Sequence, residues 1–404
     1  MPTWTNEVLE KYRSMTDPIA DHTVAQIIGG GQTLQANTFL KQLIENDDFP
    51  TDAPKVLQDY IAQTQTLPAW ANPDLIKQGE KLFSVYGGEL SMLLLCKSLP
   101  ASYACWRGAK VLYSTGRLAE HRGSTQKFTR RLMETSQFVI NVMAEGGMST
   151  TGKGIRTAQK VRLMHASIRY FLKQYGWDAA TLGEPINQED LAGTLMAFAV
   201  YPLEGMEQLG IQISTAEQDA YIHTWNVVGH IMGVNPDFFP KNYKEGLDLG
   251  YRILDHQKGE SQEGKELLKA CVDFLEQVTP GNKFDFYPEV LIRYLLRDEL
   301  ADMLGLPKMP LGELFNRLAL RIIADVEHLK EHSQIVQRLS KRFTRSLLQG
   351  MINYYNNEKQ IQFTIPPSLQ ANWLQEDLKD DWANILSSPA LAGWRVALQR
   401  KMKN

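Results

Sequence analysis

The chain has 404 residues, 43% of them apolar and 22% charged, with a formal net charge of -3. That is ordinary globular composition, long enough to bury a large core without a stapling metal or disulfide framework. It shows no basic excess of the kind that marks nucleic-acid or anionic-membrane binding, so neither is expected as a partner.

Helical periodicity dominates, most firmly from about Pro73, and strand-like alternation is confined to Gln360–Ile365, so the fold class is all-α. No clean linker divides the chain. The organisation read from the pattern is an N-terminal extension (1–69), a helical domain (70–350) and a C-terminal extension (351–404). The opening segment lacks a basic n-region and apolar h-region, and no apolar run reaches the ~18 residues of a membrane span. With an odd three cysteines (Cys96, Cys105, Cys271) and no CxxC spacing, the expectation is free thiols and a cytoplasmic protein.

A helix is predicted over Asp74–Cys96, with a bend at Gly87-Gly88, and Pro100 opens a further segment. Thr125–Ala144 follows, then the glycine-rich Gly146–Gly154, read as a flexible connector, then Ile155–Tyr175. Asn187 is an N-cap with Glu189 and Asp190 complementing the helix dipole. Ser214 to Glu217 forms a capping box for a helix closing at Gly233. Pro288 opens another helix ending near Gly305, and two or three long helices are expected up to Asn357.

The helix from Ile155 carries the strongest chemical signal. Ala158, Val161, His165, Ile168 and Leu172 recur at spacings of 3, 4, 3 and 4 and define one apolar face with an imidazole at its centre. Buried imidazole needs a hydrogen-bond partner or a metal. Arg162 and Arg169 border that face. They would suit the two propionates of a haem held by His165, or carboxylates on neighbouring helices. On the preceding helix the stripe Phe128, Leu132, Thr135, Val139 and Val142 is bordered by Arg131. Those polar groups could stabilise O2 on the side opposite His165. The alternative pairs Arg131 with a carboxylate and bonds the Thr135 hydroxyl back to its own helix.

TGRL (Thr115–Leu118), RRLMETSQFV (Arg130–Val139), KVRLMHASIRYFL (Lys160–Leu172), INQEDLAGTLMAF (Ile186–Phe198) and AYIHTWNVVGHIMGV (Ala220–Val234) occur in this order. Together they resemble the catalytic domain of the latex-clearing proteins, the haem b rubber oxygenases, over roughly residues 70–350. VRLMHAxxR is specific; TGRL alone is weak. The resemblance implies a globin-like multi-helix bundle around a haem pocket, with helical extensions at both ends, and cleavage of polyisoprene double bonds by O2 to carbonyl products. It implies His165 as the metal ligand, Arg162 and Arg169 as the flanking cofactor-binding arginines, and Arg131 and Thr135 as distal groups. Where rubber-cleaving members carry a lysine able to cap the iron, this chain has Glu134, leaving a proton acceptor or a solvent-facing carboxylate at that position. A family glutamate acting as base has Glu120 as its nearest candidate, and a family arginine falls near Arg293 or Arg297.

Rubber-cleaving members are secreted, so the absence of an export signal favours a small or medium hydrophobic alkene, lipid or isoprenoid over polyisoprene. The reading is a haem b-dependent oxygenase with an apolar pocket lined by helices 74–96, 102–118 and 188–200. Its rivals are a haem protein without oxygenase activity, such as a carrier or gas sensor, and a haem-free helical binding protein. Elsewhere, His223 and His230 are seven apart and read as structural. His328 and His332 are helically spaced, but their surroundings (ADVEHLKEH) lack the HExxH order and read as a solvated face.

Overall fold

The computed structural model describes residues 4–29, 53–115, 126–279 and 287–308, and beyond these only Thr344, Leu347, Leu348 and Met351. Glu120, Gln360–Ile365, His328, His332 and nearly all of the proposed C-terminal extension therefore lie outside the described residues. Helices make up the architecture: among the described residues the only extended pairing is an isolated bridge between Cys105 and Lys258.

The helices are α1 (Asn6–Tyr12), α2 (Pro18–Gly29), α3 (Lys55–Thr64), α4 (Pro73–Leu93), α5 (Leu99–Tyr103), α6 (Trp106–Ser114), α7 (Gln126–Met143) and α8 (Lys153–Gln174). They continue as α9 (Ala179–Leu182), α10 (Gln188–Ala199), α11 (Tyr201–Gln208), α12 (Thr215–Ile231), α13 (Tyr243–Gln257), α14 (Gln262–Val278) and α15 (Tyr287–Met303). The expected caps are present. Asn187 accepts from the Asp190 amide at 3.0 Å. Ser214 and Glu217 form the reciprocal capping box, and Gly233 and Gly305 take the left-handed conformation just past their helices. Helices α11, α13 and α14 were not anticipated. Their starts are marked only by Pro202, Asn242 and Ser261.

Helix α4 runs without interruption through Gly87-Gly88. Both glycines are buried in a continuous helix, and the irregularity comes later, as a π-helical turn over Leu94–Ser98 that leads into α5. The run Pro73–Tyr103 is by length and composition able to cross a membrane, which the apolar-run criterion missed. However, 61% of its apolar window is buried against the other helices, as a core helix requires.

Most of the core is one cluster to which α4, α10, α12 and α14 contribute heavily. A second, smaller cluster joins Ala20 and Val24 of α2, Leu57 and Tyr60 of α3, and Leu163 and Ala166 of α8. Helix α8 thus bridges the two clusters, packing chiefly on α2, α7 and α12. Of the helices before residue 70, α1 packs on α10 and α13, and α2 on α3 and α8. Cys96 and Cys271 are buried, Cys105 is half-buried, and all three are free thiols.

Candidate functional site

Helices α7 and α8 meet through the glycine-rich connector, and its packing decides how closely. A Cβ on Gly152 would lie 2.2 Å from the Gly146 carbonyl oxygen, and one on Gly154 would lie 2.6 Å from that of Gly147. Side chains at these positions would push the two helix ends apart. Buried Glu80 on α4 accepts from the Gly146 amide at 3.1 Å, so the loop is tied to the core. The flexible connector expected from composition is instead a close-packed clasp.

On α8 the predicted stripe is only partly covered. Ala158 is fully buried, but Val161, His165, Ile168 and Leu172 each keep some exposed surface. Leu163, Ala166 and the two arginines of the adjoining face are the ones packed away. His165 is half-buried, and its Nδ1 is buried without any hydrogen-bond partner. Burial lowers its pKa from 6.5 to about 3, assisted by the positive charges of Arg131 and Arg169. The ring is therefore a neutral imidazole at physiological pH, the form that ligates a metal.

Both flanking arginines meet protein carboxylates, the second of the two alternatives read from the sequence: Asp17 just before α2 and Asp21 within it. Arg162 forms a fork on Asp17, Nε to Oδ2 at 2.6 Å and Nη2 to Oδ1 at 2.8 Å, and its Nη1 donates to the Ile231 carbonyl at 3.0 Å. Arg169 donates from Nε to Asp21 at 2.6 Å and from Nη1 to the Ile186 carbonyl at 3.2 Å. A guanidinium whose every nitrogen is engaged inside the protein, as in Arg162, does not fit a propionate partner. Arg169 keeps one buried nitrogen, Nη2, without a partner.

Across from His165, α7 buries Phe128, Leu132, Val139 and Val142 as expected and leaves Arg131 and Thr135 half-buried. Thr135 donates its hydroxyl to the Arg131 carbonyl at 3.0 Å, the helix-internal alternative. Glu134 lies 3.2 Å from Arg130 and 3.6 Å from Arg131, so its carboxylate is engaged by cations of its own helix. The sequence places Arg131, Thr135 and His165 on adjoining helices, and the charge of Arg131 reaches the imidazole. The helices expected to line the pocket (74–96, 102–118, 188–200) are not the main neighbours of α8, whose principal packing partners are α2, α7 and α12.

His223 and His230 behave as structural groups. His223 Nε2 accepts from the Asn72 amide at 2.9 Å, and both rings meet Trp70 edge-on. Among the described residues no group of His, Cys, Asp and Glu could by itself hold a metal ion.

Two buried polar clusters escaped the sequence reading. In one, Arg13 of the N-terminal region reaches Glu189 and Asp190 at 3.0 Å each, and His256 Nδ1 lies 2.6 Å from Glu189. Glu189 and Asp190 thus do more than complement a helix dipole. In the other, the π-turn carries Lys97 inward to Glu204 at 3.0 Å and to the Leu295 carbonyl at 3.0 Å. That carbonyl lies beside the break in α15 at Arg297, where φ is 65°. Arg293 latches the two halves of α15 through Asp298 and Asp302 at 2.9 Å each. Arg297 lines a small cleft beside Lys97 and Tyr251, remote in sequence from His165. A π-turn and a broken helix leave no simple periodic signature. The carboxylates that meet the α8 arginines did leave one: Asp17 and Asp21 are spaced one turn apart.

Comparison with known proteins follows the same segment. The family described as ER-bound oxygenase mpaB/B'/Rubber oxygenase, catalytic domain, matches residues 80–325. The rubber oxygenase of Streptomyces sp. (strain K30) is 28% identical over 302 residues, 74% of this chain and 72% of that protein. The solved structure of a latex clearing protein in the closed state shares the fold, with a TM-score of 0.70 and 24% identity over 88% of this chain and 95% of that one.

Proposed function

Since the chain belongs to the family of ER-bound oxygenases mpaB/B' and rubber oxygenases through its catalytic domain, we propose that it is a haem b-dependent oxygenase. Its substrate would be a hydrophobic alkene of isoprenoid type, cleaved at a carbon–carbon double bond with O2. The observation that carries this reading is His165: a neutral, half-buried imidazole, its Nδ1 buried and unpartnered, in the middle of a half-covered apolar stripe. An imidazole satisfied by a carboxylate, as a haem-free binding protein would have, lacks that combination.

His165 would hold the iron, and the bound haem would supply the oxygen chemistry. The protein's residues set the conditions around it. Burial and the charges of Arg131 and Arg169 keep the imidazole unprotonated, so a ring nitrogen lone pair stays available. Val161, Ile168 and Leu172 present apolar surface that excludes water and suits a hydrocarbon. Arg131 places a cation near the imidazole, where negative charge developing on oxygen would be stabilised. With Asp17 and Ile231 occupying its donors, Arg162 is better suited to holding α8 in place than to binding a propionate. The relative from Streptomyces is named for rubber, which supports a hydrocarbon of that class as substrate, and the apolar stripe is compatible with it.

The test is O2 uptake by protein produced with haem supplied, offered polyisoprene and short isoprenoid alkenes separately. Uptake coupled to carbonyl products, and lost in His165→Ala, is expected. Haem-loaded protein that consumes no O2 with either would instead identify a haem carrier or sensor.

A further inference from the structure

A ligating histidine is usually aimed by a carbonyl or carboxylate that accepts its second ring N–H. His165 has no such partner for its buried Nδ1, so the direction of its ring must be set by the position of α8 itself. Each residue advances 100° around a helix, so a small roll of α8 would swing the ring away from any fixed ligand.

Two anchors oppose that roll, one turn to either side of His165. Three residues before it, Arg162 makes the fork on Asp17. Four residues after it, Arg169 donates to Asp21 and to the carbonyl of Ile186. Ile186 is itself held at a φ of 50°, costly for a β-branched residue, and so is fixed by its surroundings. Asp17 is the residue preceding α2 and Asp21 lies one turn into it. Beside the two ion pairs, Ala20 and Val24 of α2 share one buried cluster with Leu163 and Ala166 of α8. Helix α2 lies before the segment matched by the family's catalytic domain, which begins at residue 80.

We propose that α2 is a clamp that orients the iron ligand: Asp17 and Asp21 are positioning residues that act on His165 through Arg162 and Arg169. This rests on the haem reading above. It predicts that loosening the clamp alters how iron is ligated, beyond any effect on folding.

The experiment titrates full-length wild type, Asp21→Asn and Asp21→Glu with haemin. It records affinity, the Soret position and the ferric spin state, alongside the melting temperature of each protein without haemin. Asp21 is 30% exposed, so its amide variant should fold. Wild type should give one homogeneous spectrum. Asp21→Asn should bind haemin ~10 to 100-fold more weakly, the usual cost of removing an outer-shell partner, with mixed ligation states. Asp21→Glu should restore most of both. If Asp21→Asn keeps wild-type affinity and spectrum, even with a lowered melting temperature, α2 is only a structural helix and the proposal falls. If wild type itself takes up no haemin, the haem reading falls first and this one with it.

Discussion

Replacing Asp17 with alanine isolates the cost of stranding a buried cation. Both partners of the pair are almost inaccessible, with side-chain exposures of 8% for Arg162 and 3% for Asp17. The change removes two charge-assisted hydrogen bonds of 2.6 and 2.8 Å and leaves Arg162 with only the Ile231 carbonyl. An uncompensated buried charge of this kind costs about 3–5 kcal/mol. An exposed pair such as Lys269–Asp273 should yield less than about 1 kcal/mol. Equilibrium urea unfolding of the full chain, with wild type and Asp17→Ala compared at one pH and salt concentration, measures the difference directly. The double variant Asp17→Leu/Arg162→Met should recover most of the loss, because it removes the stranded charge together with its partner. A loss below about 1 kcal/mol in the single variant, or a double variant as unstable as the single, would refute the reasoning.

Gly233 takes a φ of 79°, and a Cβ there would meet Arg162 Nε at 2.6 Å and Asp17 Oδ2 at 2.7 Å. Gly233→Ala should therefore cost about 1–3 kcal/mol through overpacking and backbone strain, read as a lowered unfolding midpoint. Acid sensitivity should report on His165. Its folded pKa of about 3 lies below the ordinary 6.5, so between these values the unfolded chain binds one more proton and stability falls as pH drops. Each unit costs about 1.4 kcal/mol, so between pH 7 and pH 5 wild type should lose about 2 kcal/mol more than His165→Leu. Equal losses would show that the ring is not held neutral by the fold. Glu134→Gln should change stability by less than about 1 kcal/mol, since its ion pairs with Arg130 and Arg131 lie on a partly exposed face. A larger loss by denaturant titration would mean that Glu134 carries more than the helix-surface pairs.

Much of the fold was legible because periodicity and caps are local. The reciprocal pair Ser214–Glu217 and the N-cap Asn187 need only neighbouring residues to work, and both stand where the sequence places them. So does the α8 stripe, though not its coverage. Whether Val161, Ile168 and Leu172 are covered depends on what packs against α8, which periodicity cannot say. The same limit explains the arginines. The sequence showed that Arg162 and Arg169 need anions, while the choice between propionates and protein carboxylates was made by α2, 145 and 148 residues away. The buried set of Arg13, Glu189, Asp190 and His256 joins segments 176, 177 and 67 residues apart, and no local pattern links them. The connector between α7 and α8 misled for a related reason. Glycine content signals freedom when a loop is exposed, but here the missing Cβ atoms let backbone pack on backbone.

The most direct measurement is the visible spectrum of purified protein titrated with haemin, wild type beside His165→Ala. A saturable Soret band in wild type that His165→Ala lacks is the result this account predicts. A colourless wild type, or a variant that takes up haemin with the same spectrum and affinity, would contradict it.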